Sequence, residues 1–482
     1  MGKKSKKILF IYPARENESL AIEYLSSCLK IAGHITNLII GYSEEKNFNK
    51  RLFQRIESFK PDFIGLSVMT DDYSWACKTS KFIKSNFKTP IIFGGLHPTS
   101  CPEEVISNDF VDYIVIGEGE DAIVDLVENP EKTNIKNVWT KKNGKIIKNP
   151  LRPLIEDLDT IPFPDKDLYF KEAPYLRRIA YFCMTSRGCP FSCTYCFNNS
   201  MRKLYKGCKW LRKRSINNVI EELKTMKKNL GFKRIIFGDD CLTYDKRWLE
   251  DFFKIYKKEI NLPFKAIAHP TFMNKDIISI LKLGGCNRIQ LGVQTPVERL
   301  RKDICKRVDT NEVISNAVKE IKRQGIFVQI DHIWGLPTET VEENKKWISF
   351  YIDMKPHNIS CYFLLYYPKT DMIKIGKKYG TIDDEFINKT IKGDFNFCTN
   401  IEKFKKYPEI VEMTRFLNWI PILPRGLSYY LLRKNLYQKI FISDSLNRVP
   451  YILLNLKSLD FIKPSVESIF RKRAMKKYYK NI

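Results

Sequence analysis

Short apolar runs alternate with amphipathic segments through the first quarter of the chain. Leu20–Ala32 carries its apolar side chains at the spacing of a helix face and is followed by Gly33, which favours a helix end. The runs that predict strands are Lys7–Ile11, Ile35–Ile40, Phe63–Val68, Ile91–Phe93 and Tyr113–Ile116. Because almost continuous apolar strands that alternate with helices are buried on both faces, residues 1–130 predict a doubly wound parallel sheet of the α/β class.

A second series of strand and helix patterns begins near residue 180, with a period of about thirty residues. Its clearest helix follows Ser215, a candidate N-cap, and stops at Gly231. The predicted strands are Ala180–Met184, Arg234–Phe237, Phe264–Ile267, Arg288–Val293, Phe327–Ile333 and Asn358–Leu364. Six such units fit either an open sheet or a partial barrel, and periodicity does not distinguish the two.

Two further regions complete the predicted organisation. Residues 131–179 predict a connector with a hairpin around Asn143-Gly144. After the second domain, residues 180–399, comes a helical region over 400–482 that mixes aromatic and basic side chains, and no apolar run in it reaches the roughly 20 residues that span a bilayer. Two interpretations of this region stay open: a helical cap over the mouth of the second domain, or an interfacial helix pair on anionic lipid.

The chain is strongly basic, with 82 Lys and Arg against 55 Asp and Glu and a net charge of +27. The lysines are spread along the chain and mixed with glutamates, which is typical of solvated surface, so nucleic-acid binding is not favoured. The apolar run Ile8–Tyr12 is too short for a signal peptide, and most of the thirteen cysteines are scattered singly. We therefore expect a reduced cytoplasm, with peripheral membrane contact left open.

Cys189, Cys193 and Cys196 stand at CxxxCxxC spacing and are the strongest chemical signal in the sequence. Three thiolates hold three irons of a cubane iron–sulfur cluster and leave the fourth iron open for a ligand, whereas most electron-transfer clusters take four cysteines. The alternative is a zinc knuckle with a distant histidine. Zinc sites usually pair two CxxC units, and this sequence has no second unit, which favours the cluster.

Tyr195 precedes the third cysteine and completes a CxxxCxφC pattern, where φ is an aromatic residue. This segment resembles the cluster motif of the radical S-adenosylmethionine (SAM) enzymes. The resemblance implies a four-iron four-sulfur cluster whose open iron binds SAM, and cleavage of SAM to a 5′-deoxyadenosyl radical. It also implies an external electron donor such as flavodoxin or ferredoxin.

Residues at the ends of later predicted strands extend this resemblance over about 180–370 of the chain. Gly238-Asp239-Asp240 stands where the family's Gly-Gly-Glu motif holds the amino group of SAM, and a carboxylate suits an ammonium. Helix N-capping is the alternative role for the two aspartates. By the same resemblance, Gln294 implies a contact with the ribose or carboxylate of SAM, and Gly335 lies in a GLPxET element near adenine. The resemblance also selects the partial (β/α)6 barrel of TIM type.

The carboxyl ends of the first domain's strands carry glycines, which let a backbone approach a bulky ligand. Their order resembles the Rossmann-like cobalamin-binding domain that precedes the barrel in cobalamin-dependent radical SAM enzymes. Pro13–Ser19 lacks the histidine by which other cobalamin proteins ligate cobalt, so a domain that kept the fold and lost the cofactor stays open. The resemblance assigns to cobalamin Ser67, Thr70, Gly94, Gly95, His97, Gly117 and Glu118. A loop or capping role is the alternative for His97.

These features together favour a cobalamin-dependent radical SAM enzyme that methylates an unactivated carbon of a small-molecule or lipid substrate. The main alternative keeps the radical chemistry in an oxidative or ring-forming reaction without methyl transfer. A tRNA methylthiotransferase is disfavoured, since Cys28, Cys77 and Cys101 lack the context of a second cluster. A non-enzymatic cobalamin-binding module would need neither Asp239-Asp240 nor the GLPxET element.

Overall fold

The structure is a computed structural model that describes residues 4–15, 18–41, 47–174, 180–394 and 408–440. These residues form two parallel sheets, each covered by helices, with a connector between them and helices at the end. The predicted class and the order of its parts along the chain are confirmed.

The first sheet has seven strands in the order β2-β1-β3-β4-β5-β6-β7. The first five are parallel, and β6 and β7 add an antiparallel hairpin at the β5 edge. The strands are β1 Lys7–Pro13, β2 Ile35–Gly41, β3 Phe63–Ser67, β4 Ile91–Gly94, β5 Tyr113–Val115, β6 Val138–Lys142 and β7 Lys145–Ile147. The hairpin predicted in the connector is therefore present and continues this sheet to Ile147.

Helices cover both faces of the first sheet, so that two separate apolar cores form on its two sides. They are Leu20–Ile31, Phe48–Phe59, Tyr73–Asn86, Leu96–Ser100, Pro102–Ser107 and Glu120–Glu128. Strand order 2-1-3-4-5 places a switch point between β1 and β3, and ligands of such sheets bind at the carboxyl edge there.

The second sheet has six parallel strands in the order β15-β14-β13-β12-β11-β8, with β8 and β15 at its edges. Every second residue packs into the main core beneath the helices, and the others face the inside of the partial barrel. The strands are β8 Tyr181–Cys183, β11 Ile235–Phe237, β12 Phe264–Ala268, β13 Cys286–Gln294, β14 Phe327–Trp334 and β15 Asn358–Phe363. The short strands β9 Ser186–Arg187 and β10 Arg212–Lys213 pair antiparallel near the first strand's end.

The predicted caps of the barrel helices are present. The Ser215 hydroxyl accepts a hydrogen bond from the Asn218 N–H, and Gly231 ends that helix with φ of 65°. The helices are Phe197–Leu204, Ile216–Leu230, Lys246–Glu259, Lys275–Gly284, Asn311–Arg323, Val341–Met354, Asp371–Lys378 and Asp384–Ile391.

The described part of the C-terminal region is helical, as predicted, over Pro408–Trp419, Arg425–Arg433 and Tyr437–Ile440. Its apolar side chains join the core outside the barrel, beside helix Val341–Met354 and strand β15. Residues 408–440 therefore extend the outer helical layer and do not cap the barrel mouth. Their apolar face packs against the side chains that edge strand β15 directs away from the barrel interior. Residues 400–407 and 441–482 lie outside the described residues. Among the helices that the structure describes, none is long and apolar enough to cross a membrane.

Candidate active site

A cavity of about 380 Å³ lies between the two domains. One wall of the cavity is the carboxyl edge of the first sheet together with helix Leu20–Ile31. The other wall comes from the barrel domain and includes Met184 and residues on both sides of the cysteine loop. Side chains that line it from the barrel include Phe197, Asn198, Met201, Trp210 and Asp240. Of the residues that the sequence assigns to the cluster and to SAM, Asp240 alone lines this cavity, beside Gly188 and Phe197, which flank the cysteine loop.

Most of the residues predicted at the glycine edge line this cavity: Ser67, Gly94, Gly95, Gly117 and Glu118. Gly95 has φ of 99°, and a Cβ there would lie 2.9 Å from the backbone of Val68, so only glycine lets the loop fold back over β3. The slot is mainly apolar and continues inward past Phe10, Gly65 and Ile92. A glycine-lined, apolar slot open toward a second domain fits a large heterocyclic cofactor such as cobalamin.

Thr70 and His97 do not line the cavity. The His97 Nδ1 lies 3.2 Å from the Thr70 hydroxyl oxygen, and its ring packs against Tyr73 with 4.1 Å between the ring centroids. Burial lowers the pKa of His97 to about 4, so the ring is neutral. The structure therefore places these two residues in the packing behind the edge, in line with the loop role that was the alternative for His97.

Glu118 borders the cavity, but its carboxylate has partners from the other domain. It accepts hydrogen bonds from Arg187 and Arg212 at 2.9 Å each and from the Ile155 N–H at 2.9 Å. Burial works to raise the pKa of Glu118, and the hydrogen bond from Arg212 with the charge of Arg187 outweighs burial and lowers it. With Glu120, which also pairs with Arg187, Glu118 fastens the first domain to the barrel.

Gly117 lies against Tyr205 of the barrel domain at this interface. A Cβ on Gly117 would lie 1.8 Å from the Tyr205 hydroxyl oxygen, and that hydroxyl accepts a hydrogen bond from the Glu118 N–H at 3.2 Å. Gly144, at the hairpin turn, has the same φ of 74° but no atom within 4 Å of its would-be Cβ. The two positions therefore carry the same backbone strain and differ in steric contact.

We expect Gly117→Ala to disturb the docking of the two domains, because Tyr205 must move and the Glu118 hydrogen bond is lost. Its thermal unfolding midpoint should fall clearly below that of Gly144→Ala, which measures the strain of left-handed φ alone, roughly 1 kcal/mol. Limited proteolysis near residue 117 should accelerate only in Gly117→Ala. Equal effects of the two substitutions would contradict a steric role for Tyr205.

The cysteine loop is held by hydrogen bonds and packing contacts with two neighbouring segments. Gly188, with φ of 93°, packs against the Trp210 carbonyl, and the Trp210 indole donates to the Cys189 carbonyl at 3.0 Å. Thr194 is fixed by its N–H to the Cys305 carbonyl at 3.2 Å and by its hydroxyl to the Ile304 carbonyl at 2.6 Å. The loop is therefore a preformed turn that presents three cysteines from one strand end.

The arrangement of the cysteines bears on the zinc alternative. Cys189, Cys193 and Cys196 all lie on the loop between the short strand β9 and helix Phe197–Leu204. A zinc ion gathers its ligands around one point, whereas each cysteine of a cubane binds a different iron. The donor set of three thiols on one loop fits the cluster better than a zinc ion.

The two predicted aspartates have different surroundings. Asp239 is fully buried and accepts hydrogen bonds from the Thr185 N–H at 3.0 Å, the Thr185 hydroxyl at 2.7 Å and the Ser186 hydroxyl at 2.5 Å. Asp240 lines the cavity and is exposed to it. Burial raises the pKa of Asp240, and a hydrogen bond with Asn198 opposes that rise. Of the two aspartates, only Asp240 presents its carboxylate to the cavity, and neither caps a helix.

Gly238 stands between them and β11, and it leaves no room for a side chain: a Cβ would lie 2.1 Å from the Phe182 ring. Gln294 follows a bulge in β13 with φ of 72°. Gly335, with φ of 79°, donates its N–H to the Glu339 carboxylate, and burial raises the pKa of Glu339 to about 7. Gly238, Gln294 and Gly335 do not line the interdomain cavity.

Arg307 was not singled out from the sequence, yet it touches the cluster loop. This buried guanidinium lies 3.9 Å from the Cys193 sulfur and 3.4 Å from the Tyr195 hydroxyl, and it donates to the Gly292 carbonyl at 2.7 Å. It pairs with buried Asp309 at 3.1 Å. In the sequence it is one more basic residue close to Arg301, Lys302 and Lys306, a composition that is common on surfaces.

The fold and the site define a class of protein that comparisons with known families confirm. The B12 binding domain family matches residues 6–127, and the Radical SAM superfamily matches residues 184–351. A protein of Pyrococcus horikoshii named uncharacterized methyltransferase PH0819 is 30% identical over 365 residues, which cover 72% of this chain and 78% of the relative. The chain therefore belongs to the cobalamin-dependent radical SAM enzymes, whose cofactors are a four-iron four-sulfur cluster, SAM and cobalamin.

Other relatives and solved structures agree on the family or the fold. The anaerobic magnesium-protoporphyrin IX monomethyl ester cyclase of Rubrivivax gelatinosus is 24% identical, with 96% of this chain and 84% of the relative covered. The structure of the cobalamin-dependent SAM radical enzyme OxsB with aqua-cobalamin and SAM superposes with a TM-score of 0.67 at 15% identity, covering 98% of this chain and 81% of that chain. The structure of the radical SAM methyltransferase TsrM of Kitasatospora setae superposes with a TM-score of 0.66 at 15% identity, covering 78% of this chain and 75% of that chain. These structural likenesses concern the fold.

Proposed function

We propose that this enzyme transfers a methyl group to an unactivated carbon of a small-molecule substrate. The observation that supports this most is a cavity bounded on one domain by Ser67, Gly94 and Gly95. On the other domain Asp240 bounds it, with Gly188 and Phe197 on either side of the cysteine loop. Methyl transfer by cobalamin and a SAM-derived radical needs both to reach one carbon, and a shared cavity allows that.

In this proposal the chain's own residues have distinct tasks. Cys189, Cys193 and Cys196 hold the cluster, and Asp240 accepts hydrogen bonds from the ammonium of SAM. The glycine edge holds cobalamin, and the apolar wall excludes water from the reaction. When bound, the three cofactors supply a radical that removes a hydrogen atom and a methyl group that takes its place. The cluster held by the cysteine loop would accept electrons from flavodoxin or ferredoxin.

Asp240→Asn tests the assignment of the SAM ammonium. Because a hydrogen bond between charged groups contributes about 1.5–3 kcal/mol, SAM affinity should fall about tenfold or more with thermal stability retained. Asp239→Asn should instead lower stability by about 2 kcal/mol, since Thr185 and Ser186 lose a buried acceptor. Isothermal titration and thermal unfolding of the reconstituted enzyme distinguish the two. A loss of affinity in Asp239→Asn alone would move the assignment to Asp239.

The product ratio tests methyl transfer itself. One SAM must donate its methyl group and a second must yield the radical, so S-adenosylhomocysteine and 5′-deoxyadenosine should form in equal amounts with the cognate substrate. Deuterium from the substrate carbon should appear in 5′-deoxyadenosine. The measurement is anaerobic turnover with cobalamin supplied, followed by mass spectrometry. Formation of 5′-deoxyadenosine without S-adenosylhomocysteine would reject methyl transfer.

That outcome would favour a second candidate, an oxidative or ring-forming radical reaction. The supporting observation is the similarity to the Rubrivivax gelatinosus cyclase, which extends over 96% of this chain. This candidate uses the same cysteine loop and the same cavity. It differs in the fate of the substrate radical, which closes a bond or loses an electron and receives no methyl group.

A further inference from the structure

The inside of the barrel carries a polar row on neighbouring strands. Lys265 on β12 alternates with Phe264 and Ala266, which are buried in the core beneath the helices, so its side chain faces the barrel interior. On β13 and β14 the residues of the same inner face are Arg288, Gln290, Gln329 and Asp331. Gln329 is buried and the other four are half-buried. Polar side chains that are largely withdrawn from water are costly unless they serve each other, water or a ligand.

Most of this row is internally paired. Arg288 donates to the Gln329 amide oxygen at 2.7 Å, and its guanidinium lies 4.6 Å from the centroid of the Phe327 ring. Asp331 accepts hydrogen bonds from the amide groups of Gln290 at 2.6 Å and Gln329 at 3.3 Å. These contacts hold Arg288 and Asp331 in place.

Lys265 is different. The strand register sets Lys265 directly beside Arg288, and like charges on opposed residues repel. Asp331 is close enough to act on Lys265 electrostatically, but among the described residues no carboxylate lies within ion-pair distance of its ammonium. Burial and the Arg288 charge lower the pKa of Lys265 to about 8. Lys265 thus lies beside a like charge and near a carboxylate that already accepts hydrogen bonds from two amides.

We infer that Lys265 and Arg288 form an anion-binding subsite inside the barrel, which takes a carboxylate or phosphate group of the substrate. An anion there would relieve the repulsion and pair with both cations. This inference rests on the proposed function, because it names the substrate class of that enzyme. Asp240 follows the neighbouring strand β11, and Ile236 of that strand pairs with Lys265, so the anion would lie deeper in the barrel than Asp240. The substrate would be an elongated molecule with its anionic end down and its reacting carbon near the cavity.

The test uses the full-length reconstituted enzyme and pyridoxal 5′-phosphate as the probe. Its aldehyde condenses with a neutral amine with loss of water, and borohydride reduces the imine to a stable secondary amine that peptide mass spectrometry locates. We expect Lys265 to be labelled severalfold faster by pyridoxal 5′-phosphate than by pyridoxal, which has no phosphate. Inorganic phosphate should protect Lys265 if the subsite takes phosphate groups, and acetate if it takes carboxylates.

Two controls separate the subsite from ordinary lysine reactivity. Lys224, whose side chain is 50% exposed and pairs with Glu259, should be labelled without a phosphate preference and without protection. Arg288→Gln should remove the preference at Lys265 while Lys224 labelling stays unchanged. Equal labelling of Lys265 by both aldehydes in the wild-type enzyme, with no protection by either anion, would overturn the subsite.

The outcome is independent of the product-ratio experiment. Labelling requires neither substrate nor turnover. If Lys265 shows no phosphate preference while S-adenosylhomocysteine and 5′-deoxyadenosine form in equal amounts, the subsite is rejected and methyl transfer stands. Protection of Lys265 in an enzyme that forms only 5′-deoxyadenosine would keep the subsite and reject methyl transfer. Once a substrate is known, Lys265→Met should raise its KM far more than it lowers kcat.

Discussion

Replacing Cys189, Cys193 and Cys196 by alanine is expected to abolish the brown chromophore and all SAM cleavage after anaerobic reconstitution. Each thiolate holds a different iron of the proposed cluster, so the triple variant retains no protein ligand for it. Without the cluster no electron reaches SAM, and neither 5′-deoxyadenosine nor any downstream product should form. Iron analysis, absorbance and product chromatography measure the three losses.

The matched control replaces Cys28, Cys77 and Cys101, which belong to the first domain. Burial raises the pKa of these thiols to about 12, 11 and 12, as expected for packed side chains. Their replacement should leave iron content and SAM cleavage intact, at some cost in stability. Loss of iron in the control variant would indicate a second cluster and revive the methylthiotransferase alternative.

The second large effect is expected on stability, from Arg307→Met. Arg307 is buried and pairs with Asp309, whose side chain is fully buried, and it also contacts Cys193, Tyr195 and the β13 backbone. Removing one partner of a buried ion pair costs about 3–5 kcal/mol. Because the buried Arg301 Nε stays 3.6 Å from the Asp309 carboxylate, we expect a loss near the lower end of that range. Thermal and denaturant unfolding should show this loss.

Arg299→Met is the matched control for that prediction. The Arg299 side chain is 45% exposed and pairs with Glu343 at 2.8 Å on the same side of the barrel. An exposed pair contributes less than about 1 kcal/mol, so the control should unfold close to the wild-type protein. Similar destabilisation by both substitutions would show that the buried Arg307–Asp309 pair contributes no more to the free energy of unfolding than an exposed pair does.

The class and the cofactors were predictable because their signals are local in the chain. The CxxxCxφC loop and the glycines at the strand ends lie within a few residues of the strands that position them. Apolar runs with alternating helices were enough to place all six barrel strands and the five parallel strands of the first sheet. The hairpin at Asn143-Gly144 followed from turn chemistry alone.

The C-terminal region shows the limit of that reasoning. Its helices were predictable from their composition, but aromatic and basic side chains do not say which neighbour a helix packs against. The described helices join the outer layer beside β15, because that edge strand offers an apolar outward face. The predicted cap over the mouth does not apply to this described part.

By itself, the sequence determined the two α/β domains, the cysteine loop and the strand ends that carry the site, since short-range periodicity and spacing encode them. Only the tertiary structure decided which carboxylate faces the cavity, that Glu118 fastens the domains together and that Lys265 lies beside Arg288. Arg307 and Cys193 are 114 residues apart in the chain. Contacts of this kind depend on strand register and domain docking, and a side chain carries no local mark of the partner it will meet.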